Sequence, residues 1–285
     1  MLTGPGGSGP TTPEDDCPPF DDAKRVVCYG AVDTEAEPIV LVPERQSVQP
    51  EQPTEFTLRN RSQQQFNTNF YAWRLHKRVD GDWYHVAPRG WPEPLTPLDR
   101  GEQHTWTLTV TTDRVSDGAP VEIVQATEEL TVAGLGSGHY AFGIEGWFQS
   151  RGREKSIALA AGFELHADPL QLTPTAAIAE TGWDGQTLVA GSTRGELVTD
   201  ADQPDAFILE RLDGSGSDGE QRIVEQVVRD EHLRDTIALS QRHDADRVRL
   251  EEFSRSTPAF GLRDARTVAF QGNRYRVTAE RGDRS

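Results

Sequence analysis

Two cysteines and seven histidines carry most of the side-chain chemistry available to this chain of 285 residues. Cys17 and Cys28 are its only cysteines, with ten residues between them. That spacing favours a disulfide closing a small loop, worth about 3 kcal/mol on the loop-entropy estimate; the alternative is two unrelated thiols. A disulfide would favour an exported location. There is no Cys-x-x-Cys and no Cys/His cluster with zinc spacing. The histidines are scattered: His76, His85, His104, His139, His166, His232 and His243. One pair can meet. A two-residue turn at Asp80-Gly81 sets Val79 against Asp82, and therefore His76 against His85. With an acid nearby the two could hold a metal; a plain cross-strand surface pair is the simpler reading. We expect neither a metal site nor a cofactor.

Other candidate motifs fall short in the same way. Gly214-Ser215-Gly216-Ser217-Asp218-Gly219 matches Gly-x-Gly-x-x-Gly, but a dinucleotide site needs its last glycine to open a helix. Residues 222–228 read instead as a strand pairing back on the one before, which makes the loop a hairpin tip. Asp213, Ser215 and Ser217 suggest a calcium loop, yet Asp218 and Val224 stand where glycine and glutamate are required. No Gly-x-Ser-x-Gly elbow is present. Acid pairs such as Glu251-Glu252 point to opposite faces of a strand and say nothing about acid/base work. The expectation is a protein that is not an enzyme; the alternative is an enzyme whose site lies between two domains and uses histidines and acids that no local motif pairs. Among the aromatics, Trp91 lies in a Gly/Pro-rich loop and Trp147 ends a strand. Exposed, they would stack on sugar rings or on a partner protein; otherwise they cap the ends of the core. Asn60-Arg61-Ser62 is a glycosylation sequon, meaningful only in an exported chain.

The elements that must position these residues are mostly strands. In residues 54–60 and 104–110 apolar and polar side chains alternate. Asp80-Gly81 joins the apolar runs at 70–79 and 83–86 as a hairpin. Further strands at 38–43, 129–132, 138–144 and 157–165 leave no credible helix in residues 24–167. The expectation is an antiparallel sandwich. Residues 168–285 read as a small α+β domain: strands at 186–190, 206–212, 222–228 and 247–253, a hairpin around 271–274, and one helix from Asp230 to His243 with Asp230 as cap.

Residues 1–23, rich in Gly, Pro and Thr, read as a flexible tether. They contain no charged stretch followed by an apolar run. Either the protein is cytoplasmic with a disordered tail, or its export signal lies upstream. The longest uncharged stretch, residues 130–144, is shorter than the ~20 apolar residues of a membrane span. Net charge is −17, from 29 Lys and Arg against 46 Asp and Glu, which repels a phosphate backbone and argues against nucleic acid as partner. Lys24, Lys77 and Lys155 are the only lysines.

A carboxylate excess with so little lysine resembles proteins of extremely halophilic archaea, where molar salt screens the repulsion; the alternative is an acidic protein from a GC-rich genome. The tether resembles that of haloarchaeal surface lipoproteins, and Leu2-Thr3-Gly4 resembles the residues before their lipid-modified cysteine, implying an upstream lipid anchor. Leu135-Gly136-Ser137-Gly138-His139-Tyr140, with Phe142 and Ile144 after it, resembles the strand-F corner of immunoglobulin-like sandwiches. Thr54–Asn60 resembles the second strand of bacterial and archaeal immunoglobulin-like modules. Residues 138–142 also resemble the strand before the metal loop of blue-copper proteins, but no cysteine or methionine follows to ligate copper. Together these resemblances imply a surface-exposed, non-enzymatic binding or envelope protein, with another surface protein or a glycan as partner.

Overall fold

The computed structural model describes residues 17–20, 23–111, 127–195, 203–214, 219–254 and 256–282. Most of the expected tether, and loop residues 215–218, lie outside them. The chain is mainly β and divides into two compact units at Asp168/Pro169.

Alternating burial builds the first unit. Along β4 (Thr54–Asn60) Phe56 and Leu58 are buried while Glu55 and Arg59 are exposed. The other strands are β1 (Arg25–Cys28), β2 (Ile39–Pro43), β3 (Ser47–Val48), β5 (Phe66–Thr68), β6 (Arg74–Val79), β7 (Asp82–Ala87), β8 (Thr96–Leu98), β9 (Gln103–Thr111), β10 (Glu129–Ala133), β11 (Gly138–Phe148) and β12 (Ile157–Leu165). They form two sheets. One runs β10-β9-β4-β2. The other runs β1-β12-β11-β5-β8, with β6 also paired to β11 and β7 to β6. The two sheets face each other through aromatic rings: Phe56 stacks on Phe142 at 4.6 Å, and Trp106 approaches Phe142 at 5.6 Å between ring centroids. Asp80 and Gly81, both at positive φ, form the tight turn that the twist of paired strands prefers. The register sets Val79 opposite Asp82 and His76 opposite His85.

The expectation of a purely antiparallel sandwich does not hold. β1 and β3 both lie parallel to β12, and β10 lies parallel to β9. Parallel neighbours need a crossover between them, and between β1 or β3 and β12 the chain visits the other sheet before it returns. These pairings join residues distant in sequence, so no local pattern announces them.

The second unit is one seven-stranded mixed sheet, β13 (Ile178–Asp184), β14 (Thr187–Ser192), β15 (Asp205–Leu212), β16 (Glu220–Gln221), β17 (Arg247–Glu252), β18 (Arg266–Phe270) and β19 (Asn273–Glu280), in the order β13-β14-β17-β15-β19-β18-β16. The expected strand over 222–228 does not form: β16 ends at Gln221, and helix α1 (Val224–Val227) follows. The Gln226 side chain accepts a hydrogen bond from the Ile223 amide and starts the turn, which overrides the strand preference of Val and Ile. β16 pairs with β18, not back on β15, so the glycine loop does not close a hairpin of those two strands. The second helix, α2 (Glu231–His243), begins where expected: Asp230 accepts from the Leu233 amide at 3.2 Å. Leu233, Ile237 and Leu239 bury against Val248, Leu250 and Phe207 of the sheet.

Candidate functional site

A buried charge cluster in the second unit draws on four segments far apart in sequence. The capped start of α2 places His232 and Asp235 three residues apart, on neighbouring turns of one side. The Asp235 carboxylate, fully buried, accepts from the Thr175 amide at 2.6 Å, from Thr175 Oγ1 at 2.9 Å and from Arg194 Nη2 at 2.7 Å. Arg194 extends the chain of bonds: Nη1 donates to Thr175 Oγ1 at 2.9 Å and Nε to Glu252 Oε2 at 2.8 Å. The other Glu252 oxygen lies 3.0 Å from His232 Nε2. Burial would lower the Arg194 pKa, but Glu252 and Asp235 outweigh it and raise it. Burial would likewise raise Glu252; the bond and charge of His232, with Arg194, hold it below the ordinary carboxylate value. Charges this deep persist only when paired.

Beside the cluster runs an open groove of about 450 Å³, lined by Arg194, His232, Glu252, Ser254, Ser256 and Phe260 among others. The His232 ring is stacked on Phe207 at 5.4 Å and meets Phe260 edge-on at 4.9 Å. An imidazole–carboxylate pair can pass a proton, and the Ser254 and Ser256 hydroxyls share the same groove. Ser254 Oγ accepts from the amides of Phe260 at 3.0 Å and Ser256 at 3.3 Å, and pairs with Ser256 Oγ at 3.0 Å. Ser256 Oγ accepts from the Gly261 amide at 3.0 Å. These bonds fasten residues 256–261 onto the two serine hydroxyls. Among the described residues no group of three or more His, Cys, Asp or Glu is placed to hold a metal ion. The arrangement is a charge-compensated clamp: it ties the segment entering the unit to the helix and the central sheet.

No family model, curated protein or solved structure matches this chain.

The cysteines, the two tryptophans, the His76–His85 pair and the sequon singled out from sequence lie in the first unit. Cys17 and Cys28 are joined, with Cα atoms 6.0 Å apart, and neither cysteine remains free. Trp91 and Trp147 are both half-buried. The Arg74 guanidinium lies 5.5 Å from the Trp91 ring centre, and Arg153 lies 5.8 Å from that of Trp147. Arg74 also approaches Glu145, two residues before Trp147 on β11, at 3.8 Å. His76 is buried, and its Nδ1 has no hydrogen-bond partner among the described residues. Burial, helped by His85 and Arg74, pushes its pKa down to about 3. His76 and His85 meet ring to ring at 5.3 Å.

Asn60 has another role. It is 1% exposed, and its Nδ2 donates to the carbonyls of Gln64, Leu98 and Asp99. Its Oδ1 accepts from the Ser62 amide and hydroxyl. The sequon nitrogen is spent holding two loops, and a glycan on it would break those bonds.

Sequence reasoning missed the cluster itself. Its members at 175, 194, 232, 235 and 252 share no local motif, and only the i, i+3 spacing of His232 and Asp235 was visible. It also passed over Trp183, 55% exposed on β13.

Proposed function

We propose that this is a non-enzymatic, exported binding or envelope-structural protein built on an immunoglobulin-like module, adapted to high salt. The observation that carries the export reading is the Cys17–Cys28 pairing, which uses every thiol of the chain; disulfides persist in oxidising compartments. The module reading draws on three features. The strand neighbours β2-β4-β9 and β6-β11-β12 match the A-B-E and C-F-G groupings of that fold. Tyr140 Oη donates to the Gly136 carbonyl at 2.7 Å, the bond of the tyrosine corner. Two residues on, where the fold carries its second cysteine, stands Phe142. It stacks on Phe56 of β4, and Trp73, just before β6, stacks on Phe142 at 5.8 Å. A phenylalanine pair thus takes the place of the inter-sheet disulfide under the usual tryptophan.

The surface best suited to a glycan or protein partner is the row Trp91, Arg74, Glu145, Trp147 and Arg153 on the larger sheet. It offers half-exposed rings interleaved with charge. The test is protease shaving of intact cells combined with intact mass of the released chain, with and without reductant. Release together with a mass gain of two protons on reduction supports the reading. Complete protection with two free thiols overturns it. A glycan or surface-protein interaction lost in Trp91→Ala and Trp147→Ala would then identify the partner class.

A further inference from the structure

We propose that the outer face of the larger sheet carries an acceptor notch for an aromatic side chain, filled by Phe20 of the chain's own N-terminal loop and emptied when the Cys17–Cys28 bond is reduced. The inference rests on that bond but not on export.

The notch is built from residues too small to fill it. Gly143 on β11 lies opposite Ala160 on β12, with Ala158 opposite the neighbouring Glu145. Phe20 packs there with Cys28, Ala158 and Ala160 and is only 4% exposed. A Cβ placed on Gly143 would lie 2.5 Å from Phe20 Cζ and 3.0 Å from the Leu159 carbonyl oxygen. Glycine is therefore what admits the ring. Two side chains of β6 form the wall: His76 meets Phe20 edge-on at 5.4 Å, and the Arg74 guanidinium lies 5.5 Å from the ring centre.

This is the face of the sheet turned away from Phe56 and Trp106, so the two-sheet core is complete without the plug. Residues 17–20 belong to no strand. The loop returns through the bond of Lys24 N to the Ser156 carbonyl at 3.0 Å and through β1, whose Cys28 pairs with Ala160. The disulfide closes this loop over 11 residues. Cross-linking a loop of that size makes its opening rarer by about two orders of magnitude. On reduction a dithiol such as dithiothreitol gives two electrons and two protons to the S–S bond and becomes the cyclic disulfide. The two cysteine thiols separate, and the Cys17 end is free to leave.

His76 reports on the notch because Phe20 covers it. Among the described residues, the charged or titratable groups facing it are Arg74 on its own strand, His85 on β7, and Glu145 on β11 through its pair with Arg74. Histidine NMR titration of the full chain, and binding of a labelled peptide of residues 17–28 with serines for cysteines, test the proposal. In the oxidised protein His76 is expected not to titrate above pH 5, and the peptide not to bind. In the reduced protein, and in oxidised Phe20→Ala, His76 should titrate within about one unit of the ordinary histidine value of 6.5, and the peptide should bind. Oxidised Gly143→Ala should expose His76 in the same way yet bind no peptide, because its notch is filled. Unchanged Trp106 and Tyr140 core resonances show that the sheets stay folded. If reduction melts the unit, the oxidised variants decide. A His76 that stays silent in both the reduced protein and Phe20→Ala overturns the proposal, as does a Phe20→Ala chain that binds no peptide.

Discussion

Replacing Arg194 by methionine should weaken the second unit sharply and in a pH-dependent way. The substitution leaves Asp235 and Glu252, with side chains 0% and 8% exposed, without their shared guanidinium. Removing one partner of a buried ion pair costs about 3–5 kcal/mol. Asp235 keeps both Thr175 donors and Glu252 keeps His232, and methionine retains part of the apolar stem. We therefore expect the low end, about 3 kcal/mol, or roughly 10 °C in Tm for a unit of this size. The pH dependence follows from Glu252. Its folded pKa lies below the ordinary value, where burial is outweighed by His232 and Arg194. Its contribution is thus present above the unfolded carboxylate pKa and is lost as pH falls through the lowered folded value. Without Arg194 that pKa rises, so the gap between wild type and variant should narrow below about pH 4. Amide hydrogen exchange across α2 at pH 7, with thermal unfolding at pH 7 and pH 3.5 in the same salt, measures both effects. A loss under about 1 kcal/mol at pH 7, or an equal loss at both pH values, refutes the view of Arg194 as the cation that compensates the clamp.

Three further outcomes are expected. Tyr140→Phe removes the buried hydrogen bond to the Gly136 carbonyl, which should cost about 1 kcal/mol in denaturant unfolding; an unchanged midpoint would count against a stabilising role for that bond. His76 is neutral when folded, with a pKa near 3, and takes up a proton when unfolded near pH 6.5, so stability should fall as pH drops from 6.5 towards 3 by up to about 1.4 kcal/mol per pH unit. His76→Gln should flatten that slope by about one proton, and an identical slope would exclude the residue as its source. With a net charge of −17, Tm should climb between 0.1 M and 2 M KCl as the screening length falls from about 10 Å to under 3 Å; a flat Tm would exclude the salt-adapted reading.

How far the sequence could be read depended on the distance between interacting residues. The Asp80-Gly81 turn, the His76–His85 register, the Asp230 cap and the Tyr140 corner are each written within about ten residues of chain, and each was legible. The parallel pairings of β1 and β3 on β12 were not, because nothing near residue 25 or 47 says which strand will accept it. Val224 and Val227 misled by composition: a valine-rich run favours a strand until the Gln226 cap and tertiary burial decide otherwise. The Phe56–Phe142 stack between the two sheets was hidden because both look like any core residues until they meet. The clamp is the extreme case, since Thr175, Arg194, Asp235 and Glu252 acquire meaning only from charge complementarity in three dimensions.

The pairing of β1 with β12 also has a consequence for synthesis. Arg25 lies opposite Ile157 and Cys28 opposite Ala160. The first described strand therefore has no ladder partner until the last strand of its unit has been made, while the β6–β7 hairpin closes across a two-residue turn. Searches that must close so long a stretch of chain are slow. A ribosome-stalled chain ending before residue 157 presents β1 with no edge to join. The cysteine loop, closing over only 11 residues, needs no folded sheet to find itself. Within this unit, order of assembly then runs against order of emergence: β1 is made before β12 yet docks only once β12 exists.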